Sequence, residues 1–386
     1  MQQKRPGGAG DPALINLAAR QAIVAQSVNM WQPIYTATLT GTVKGQVVTV
    51  PFRYAGLIKR FLIKITGTIA QSAAETLTKT KFANANVLSN ITLTDLNNNV
   101  RINTTGWHLH FLASARRQSV FGQAVTGDSS AAMNNVFNPM PLPSPVTTVQ
   151  NFAMYYEVPV TYGDLDLRGG IYAAVVNATG QLQFTINPNF VGATGTDETS
   201  AVYLSSTASA AATPASVVVT VYQNYLDQLP RDSNRKTILP LLDLAIAYDI
   251  KNTVVTALSV SNDNPISYAN FRDFLSTIAI YDNQALNAGT DINAWRLRSA
   301  NYTTLMDLDP ITVALMGGRW NMSDDFPAGT YYFDHRAKPI STINYGNMQL
   351  IINPSNVAGA ASQVLIGWEA LAYMNEITDA GSLYGQ

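Results

Sequence analysis

The sequence predicts an antiparallel all-β protein built as two β-sandwich series in one chain. Three observations lead there. Segments rich in Thr, Val and Ile recur with period-2 alternation and are bounded by Gly and Pro. Helices do not alternate with them, so a parallel α/β sheet is disfavoured and a sandwich or barrel is favoured. After a break near residue 230, a second series faintly repeats the first in the same order.

The first ten residues read as a flexible tail. Asp11 and Pro12 then look like a helix start: an acid to cap the free amides, and a proline where no N–H is needed. Leu14, Leu17, Ala18, Ala22, Ala25 and Val28 follow at helical spacing. Two readings stay open for this helix. It docks on its own domain, or it is an arm that lies on a partner or membrane surface.

Strands are expected within residues 36–52, 57–70, 86–96, 106–114, 152–160, 181–187 and 216–226. Two long spacers, 118–150 and 188–215, are small, polar and nearly uncharged, and are expected as exposed projections. Residues 229–237 read as a linker whose basic cluster, Arg231, Arg235 and Lys236, fits a solvated hinge. The second series runs through 238–250, 268–283, 294–302, 330–342, 348–354 and 364–377. In 268–283, Phe271, Phe274, Leu275 and Ile278 fit a helix while 275–282 fits a strand, and periodicity alone does not decide. Residues 60–69 echo 273–282, 107–115 echo 295–300, and 155–162 echo 331–340.

Composition excludes much chemistry. The 386 residues carry 24 Lys+Arg and 25 Asp+Glu, a net charge of −1, and charged residues are 13%. That is roughly half of the ~25% of an average soluble protein. No cationic field exists to hold nucleic acid. With 47% hydrophobic residues, disorder is not expected. Zero cysteines exclude disulfides, thiol nucleophiles and Cys-type metal sites. The tail is not expected to be a signal peptide, and no apolar run reaches 18 residues. An ion-poor polar skin fits a surface that meets other protein.

Reactive constellations are sparse. His108 and His110 sit two apart on an expected strand, where both would point to one face. Without a third ligand they read as packed or hydrogen-bonded between strands beside Trp107. Asp164/Asp166 read as a turn and Asp324/Asp325 as a loop, although a glycosidase would use paired carboxylates. There is no GxSxG elbow, Walker loop or GxGxxG motif. Catalytic, cofactor and metal sites are expected to be absent.

Longer strings carry a resemblance. They are GWHLHF (106–111), MYYEVP (154–159), VYQNYLDQLP (221–230), ILPLLDL (238–244), YANFRDFLSTIAIYDN (268–283), NAGTDIN (287–293), DFPAGTYY (325–332), KPISTINYGN (338–347) and INP (352–354). In this order they resemble the major capsid protein of tectiviruses, tailless bacteriophages with an internal membrane. The resemblance spans roughly residues 106–354 and is densest after 221.

It implies a double jelly roll: two eight-stranded antiparallel β-sandwiches side by side, with an N-terminal helix and short helices in loops. The implied limits are a tail and helix over 1–28, a first jelly roll over 29–230, a linker over 231–237 and a second jelly roll over 238–386. It implies a structural coat protein without enzymatic activity or cofactor, found in the virion and made in the host bacterial cytoplasm. Homotrimers with a pseudo-hexagonal outline would tile an icosahedral shell over a membrane. Minor capsid and vertex proteins are implied partners, with no direct nucleic acid. The long loops would face outward, and the helix face of Leu14, Leu17, Ala18, Ala22, Ala25 and Val28 would meet membrane or partner. Two alternatives remain at this stage: a receptor-binding or lectin-like virion spike, and a carbohydrate-active enzyme dependent on Asp324 and Asp325.

Overall fold

In a computed structural model, the described residues are 12–71, 77–80, 82–116, 142, 148–174, 179–207, 211–282, 291–299, 304–318, 329–357 and 362–373. The first half runs α1 (Pro12–Gln26), β1 (Val28–Thr38), β2 (Val47–Pro51), β3 (Leu57–Gln71), β4 (Leu77–Lys79), β5 (Leu88–Thr94), β6 (Val100–Thr104), α2 (Gly106–Arg116), β7 (Gln150–Pro159), β8 (Ile171–Tyr172), β9 (Gln181–Ile186), β10 (Val191–Ala193), β11 (Tyr203–Ser205) and β12 (Ala212–Asp227). The second half runs α3 (Leu241–Leu244), β13 (Ile246–Thr256), β14 (Asn264–Ser267), β15 (Arg272–Asp282), β16 (Ile292–Ser299), β17 (Thr304–Leu308), α4 (Pro310–Gly318), β18 (Thr330–Asp334), β19 (Ile340–Ser341), α5 (Thr342–Tyr345), β20 (Met348–Pro354) and β21 (Gln363–Tyr373).

The two halves share one topology. Leaving out the short β4, β8, β10 and β11, the first half has eight main strands. They form a sheet β1-β12-β3-β7 facing a sheet β6-β5-β9-β2. Leaving out β19, the second half forms β13-β21-β15-β18 facing β14-β20-β16-β17. Counted along the chain, both halves read 1-8-3-6 and 2-7-4-5, the jelly-roll order. A helix follows the fifth strand in each: α2 after β6, and α4 after β17. The echoes at 60–69/273–282 and 155–162/331–340 fall on equivalent third and sixth strands. The echo 107–115/295–300 does not hold, because one stretch is α2 and the other is β16.

The sandwiches are fused rather than strung on a linker. Ile250 and Lys251 of β13 pair in parallel with Ile102 and Asn103 of β6. This joins the 1-8-3-6 sheet of the second half to the 2-7-4-5 sheet of the first. As a result β15 is buried on both faces. Ile278 and Ile280 enter the first core, with Phe61, Ile63, Ile91 and Phe184. Phe274, Ala279 and Tyr281 enter the second, with Trp295, Leu350 and Ile366. A strand covered on both sides reads as a continuous apolar run, which is why 268–283 was ambiguous from periodicity. The rings of Tyr331 and Phe333 lie 5.2 and 5.5 Å from Trp295, at the tilted and edge-on angles that aromatic pairs favour.

Three expectations are corrected. Residues 106–114 are not a strand but most of α2, whose Trp107, Leu109, Phe111, Leu112 and Ala115 are all buried. A helix buried around most of its circumference shows neither alternation nor a clear stripe. The helix at the N-terminus ends at Gln26, so Val28 opens β1 instead, pairing with Asp227. Finally, 188–215 is no open projection. Phe190, Val202, Tyr203 and Leu204 are buried, and β10-β11-β4 form a small sheet there. Nearly all of 118–150 lies outside the described residues.

Candidate assembly surfaces

The β1-β12-β3-β7 sheet gives the first sandwich two distinct ends. At one end Val28 pairs with Asp227, Leu57 with Leu226, and Arg60 with Pro159. At the other, Ile69 pairs with Gln150 and Gln71 with Ala212. α1 precedes Val28, so it sits at the first end. The connections that enter β7 at Gln150 and β12 at Ala212 belong to the second. The helix and the points where the chain enters β7 and β12 are therefore at opposite ends.

α1 docks through a mixed face of Asn16, Ala19 and Ile23. Ile23 packs with Leu57, Leu167 and Leu226. The polar anchor is Asp243 of α3, which is buried. Arg20 donates to both of its oxygens, Nε to Oδ2 at 2.6 Å and a terminal nitrogen to Oδ1 at 2.5 Å. Asn16 Nδ2 donates to Asp243 Oδ1 at 3.0 Å, while Asn16 Oδ1 accepts from the Leu242 amide at 2.9 Å. A bidentate fork fixes orientation as well as distance. The stripe singled out from spacing lies mostly on the other side. Leu14, Leu17, Ala18, Ala25 and Val28 are exposed, and Ala22 is half-buried.

Where the sandwiches meet, α2 is wedged against β21. His108 and His110 are both buried, and on a helix two residues apart they point in nearly opposite directions, so no shared ligand face exists. His108 Nδ1 shares a hydrogen bond with Thr104 Oγ1 at 2.7 Å, and its ring lies over Gly367. Nearby, Ser276 Oγ donates to Glu369 Oε2 at 2.9 Å. Thr199 Oγ1 and Gln363 Nε2, one from each half, both donate to Asp282 Oδ2, at 3.1 and 3.0 Å. On β6, Arg101 donates to Asp95 at 2.9 Å and to the Gly169 carbonyl at 2.6 Å.

Of the carboxylates considered for catalysis, Asp164 and Asp166 are used in ion pairs. Asp164 bonds Arg60 and lies 3.4 Å from Lys59. Asp166 accepts a fork from Arg168 at 2.6–3.0 Å. Burial alone would raise the Asp166 carboxyl, but the hydrogen bonds and charge of Arg168 outweigh it and hold it low. Asp324 and Asp325 lie outside the described residues. Among the described residues no group of three His, Asp or Glu is placed to hold a metal. No described helix is long and apolar enough to cross a membrane. What the fold offers is contact surface and a keyed junction.

The comparisons with known proteins agree. Residues 10–229 match the P3 major capsid protein N-terminal family, and residues 245–384 match its C-terminal counterpart. The chain belongs to the P3 major capsid protein family. The major capsid protein P3 of Enterobacteria phage PRD1 is 35% identical over 374 residues, covering 95% of this chain and 93% of that protein. At the level of fold alone, the Sulfolobus Turreted Icosahedral Virus structure matches 92% of this chain and 94% of its own, at 11% identity and a TM-score of 0.64. The capsid of the virus PBCV-1 matches 90% and 96%, at 11% identity and a TM-score of 0.51. As a P3 capsid protein the chain is a double jelly-roll structural protein of a phage virion, not an enzyme.

The buried histidines are expected to lower the stability of this capsid protein in acid. Burial pushes His108 down to about 3, and His110 and His335 down to about 4. In the unfolded chain a histidine titrates near ~6.5. The folded protein therefore binds these protons last, so stability is full above that value and falls as pH drops from about 6.5 toward 4. The melting temperature is expected to be level near neutral pH and to decline steadily below about pH 6. A curve that stays level down to about pH 4 contradicts this.

Proposed function

We propose that this P3 capsid protein closes into a three-fold ring whose six jelly rolls give a pseudo-hexagonal outline, and that such rings tile an icosahedral shell over an internal membrane. The observation that carries the reading is the repeated 1-8-3-6 and 2-7-4-5 strand order in two fused sandwiches. Two units of one topology per chain let three copies present six similar sides. The end with 188–215 would face outward. The α1 end would face the membrane through Leu14, Leu17, Ala18, Ala25 and Val28, joined by Lys4 and Arg5 from the tail. Minor capsid and vertex proteins would be the remaining partners, and synthesis would take place in the host bacterial cytoplasm.

Light scattering on the purified chain tests the ring. The expected mass is about three times 41.7 kDa. A stable monomer, or a few-copy vertex location in the virion, would favour the spike reading instead. Removing residues 1–26, which spares Val28 and so β1, is expected to leave the trimer mass unchanged and to impair shell assembly. If the trimer is lost, α1 is a strap between subunits, and the membrane-facing role is wrong.

A further inference from the structure

The linker carries its own feature. Asp227, the last residue of β12, pairs with Val28, so the chain leaves β12 beside α1. Leu229 packs on the Ile23 cluster. Four residues past Thr237, α3 begins and is pinned to α1 through Leu242 and Asp243. The turn between these two anchors therefore stands at the α1 end. Its neck is the bridge between Arg231 and Thr237, with the Ile238 amide donating to the Pro230 carbonyl at 2.9 Å. With five residues beyond the neck, the tip lies no more than about 10 Å from it.

The turn is built, not slack. Asp232 Oδ1 accepts from the amides of Asn234 and Lys236, both at 2.8 Å. Its backbone carbonyl accepts from Arg235, which adopts a left-handed φ of 63°. The acid is thereby folded onto the backbone while Arg231, Arg235 and Lys236 are exposed. Elsewhere the arginines are mostly committed: Arg20, Arg60 and Arg101, for example, all bond carboxylates. Among the described residues, none of the three basic side chains of this turn has a carboxylate partner. The turn is a net +2 in a chain whose total is −1.

Around it, separate segments expose large aliphatic side chains at the same end. Leu14 on α1 is 64% exposed, Leu165 on the turn after β7 70%, and Leu241 on α3 67%. Leu165 belongs to this end because its turn follows Pro159, the partner of Arg60. Unpaired cations beside exposed aliphatics match an anionic bilayer surface, where headgroup phosphates meet the edge of the acyl layer. Nucleic acid would want a wider cationic field and stacking rings instead.

We infer that Arg231, Arg235 and Lys236 form a headgroup-binding turn that holds anionic lipid beside the exposed leucines of the α1 end. This rests on the membrane-facing reading above and adds a site that lies outside the N-terminal arm.

The test is flotation of the purified full chain with vesicles of phosphatidylcholine alone or mixed with phosphatidylglycerol. The R231Q/R235Q/K236Q variant keeps the arm, and its trimer mass serves as the folding control. It is expected to bind the anionic vesicles about tenfold or more weakly than the parent, with neutral vesicles unaffected. The parent's binding is expected to weaken between ~50 and ~500 mM salt much more than the variant's. If the variant binds as the parent does while removal of 1–26 abolishes binding, the turn proposal is overturned and the arm reading stands. If the parent binds no vesicle, both fail. If a short DNA duplex at equal phosphate concentration displaces the vesicles from the parent but not from the variant, the turn serves nucleic acid and the lipid assignment is overturned.

Discussion

Replacing Gly367 with alanine is expected to loosen the junction between the two jelly rolls by about 2 kcal/mol or more, because the new methyl group has no room. A Cβ at this position would stand 2.5 Å from His108 Nε2 and 2.6 Å from Cγ. The ring cannot swing aside cheaply. It is buried, and Nδ1 is tied to Thr104 Oγ1 on the strand that enters the helix. Moving α2 instead would disturb Trp107, Phe111 and Leu112, all part of the first core. A denaturation midpoint measures the loss. The double variant G367A/H108A is expected to recover at least about 1 kcal/mol of the sum of the single losses, since the methyl would occupy the vacated ring space. A loss below about 0.5 kcal/mol for G367A would mean that the helix and β21 are not in tight contact.

Replacing Asp243 with alanine is expected to release α1 while the sandwiches stay folded. The carboxylate is 3% exposed and serves Arg20 twice and Asn16 once. Removing one partner of such a pair costs about 3–5 kcal/mol when fully buried. Here the Arg20 side chain is 25% exposed, so solvent recovers part of that and about 2–3 kcal/mol is the expected effect. A lone helix of 15 residues is marginal in water, and Ile23 is its single large buried side chain, so this loss suffices to free it. Amide exchange over 12–26 is expected to speed up about 30- to 150-fold, with a melting temperature close to the parent's. A collapse of the whole protein would show instead that α1 is integral to the first sandwich.

Much of the fold was legible because many strands have one wet face. β2 and β9 alternate buried and open positions along their length, the pattern that Thr and Val or Gln and Leu encode directly. What failed did so for physical reasons. β1 has no fully buried residue and contains Pro33, as fits an edge strand, so it left no alternation to read. α2 is buried along its whole first two turns, Gly106 to Leu112. The strand pairing that joins the two sheets is only two residue pairs of β6 and β13, too few to mark a sequence. At the α1 end the hydrophobic-stripe rule pointed away from the docking face, because Asn16 and Arg20 do the anchoring and the leucines face out. The linker's basic cluster was visible, but its anchoring beside α1 depends on Leu229 and Asp243, which sequence spacing does not connect.

Class averages of the purified protein by electron microscopy test the central claim most directly. Two equivalent jelly rolls per chain closing with three-fold symmetry predict a ring with six sides. A three-lobed or two-fold particle, or one with a single sandwich docked per side, would contradict it.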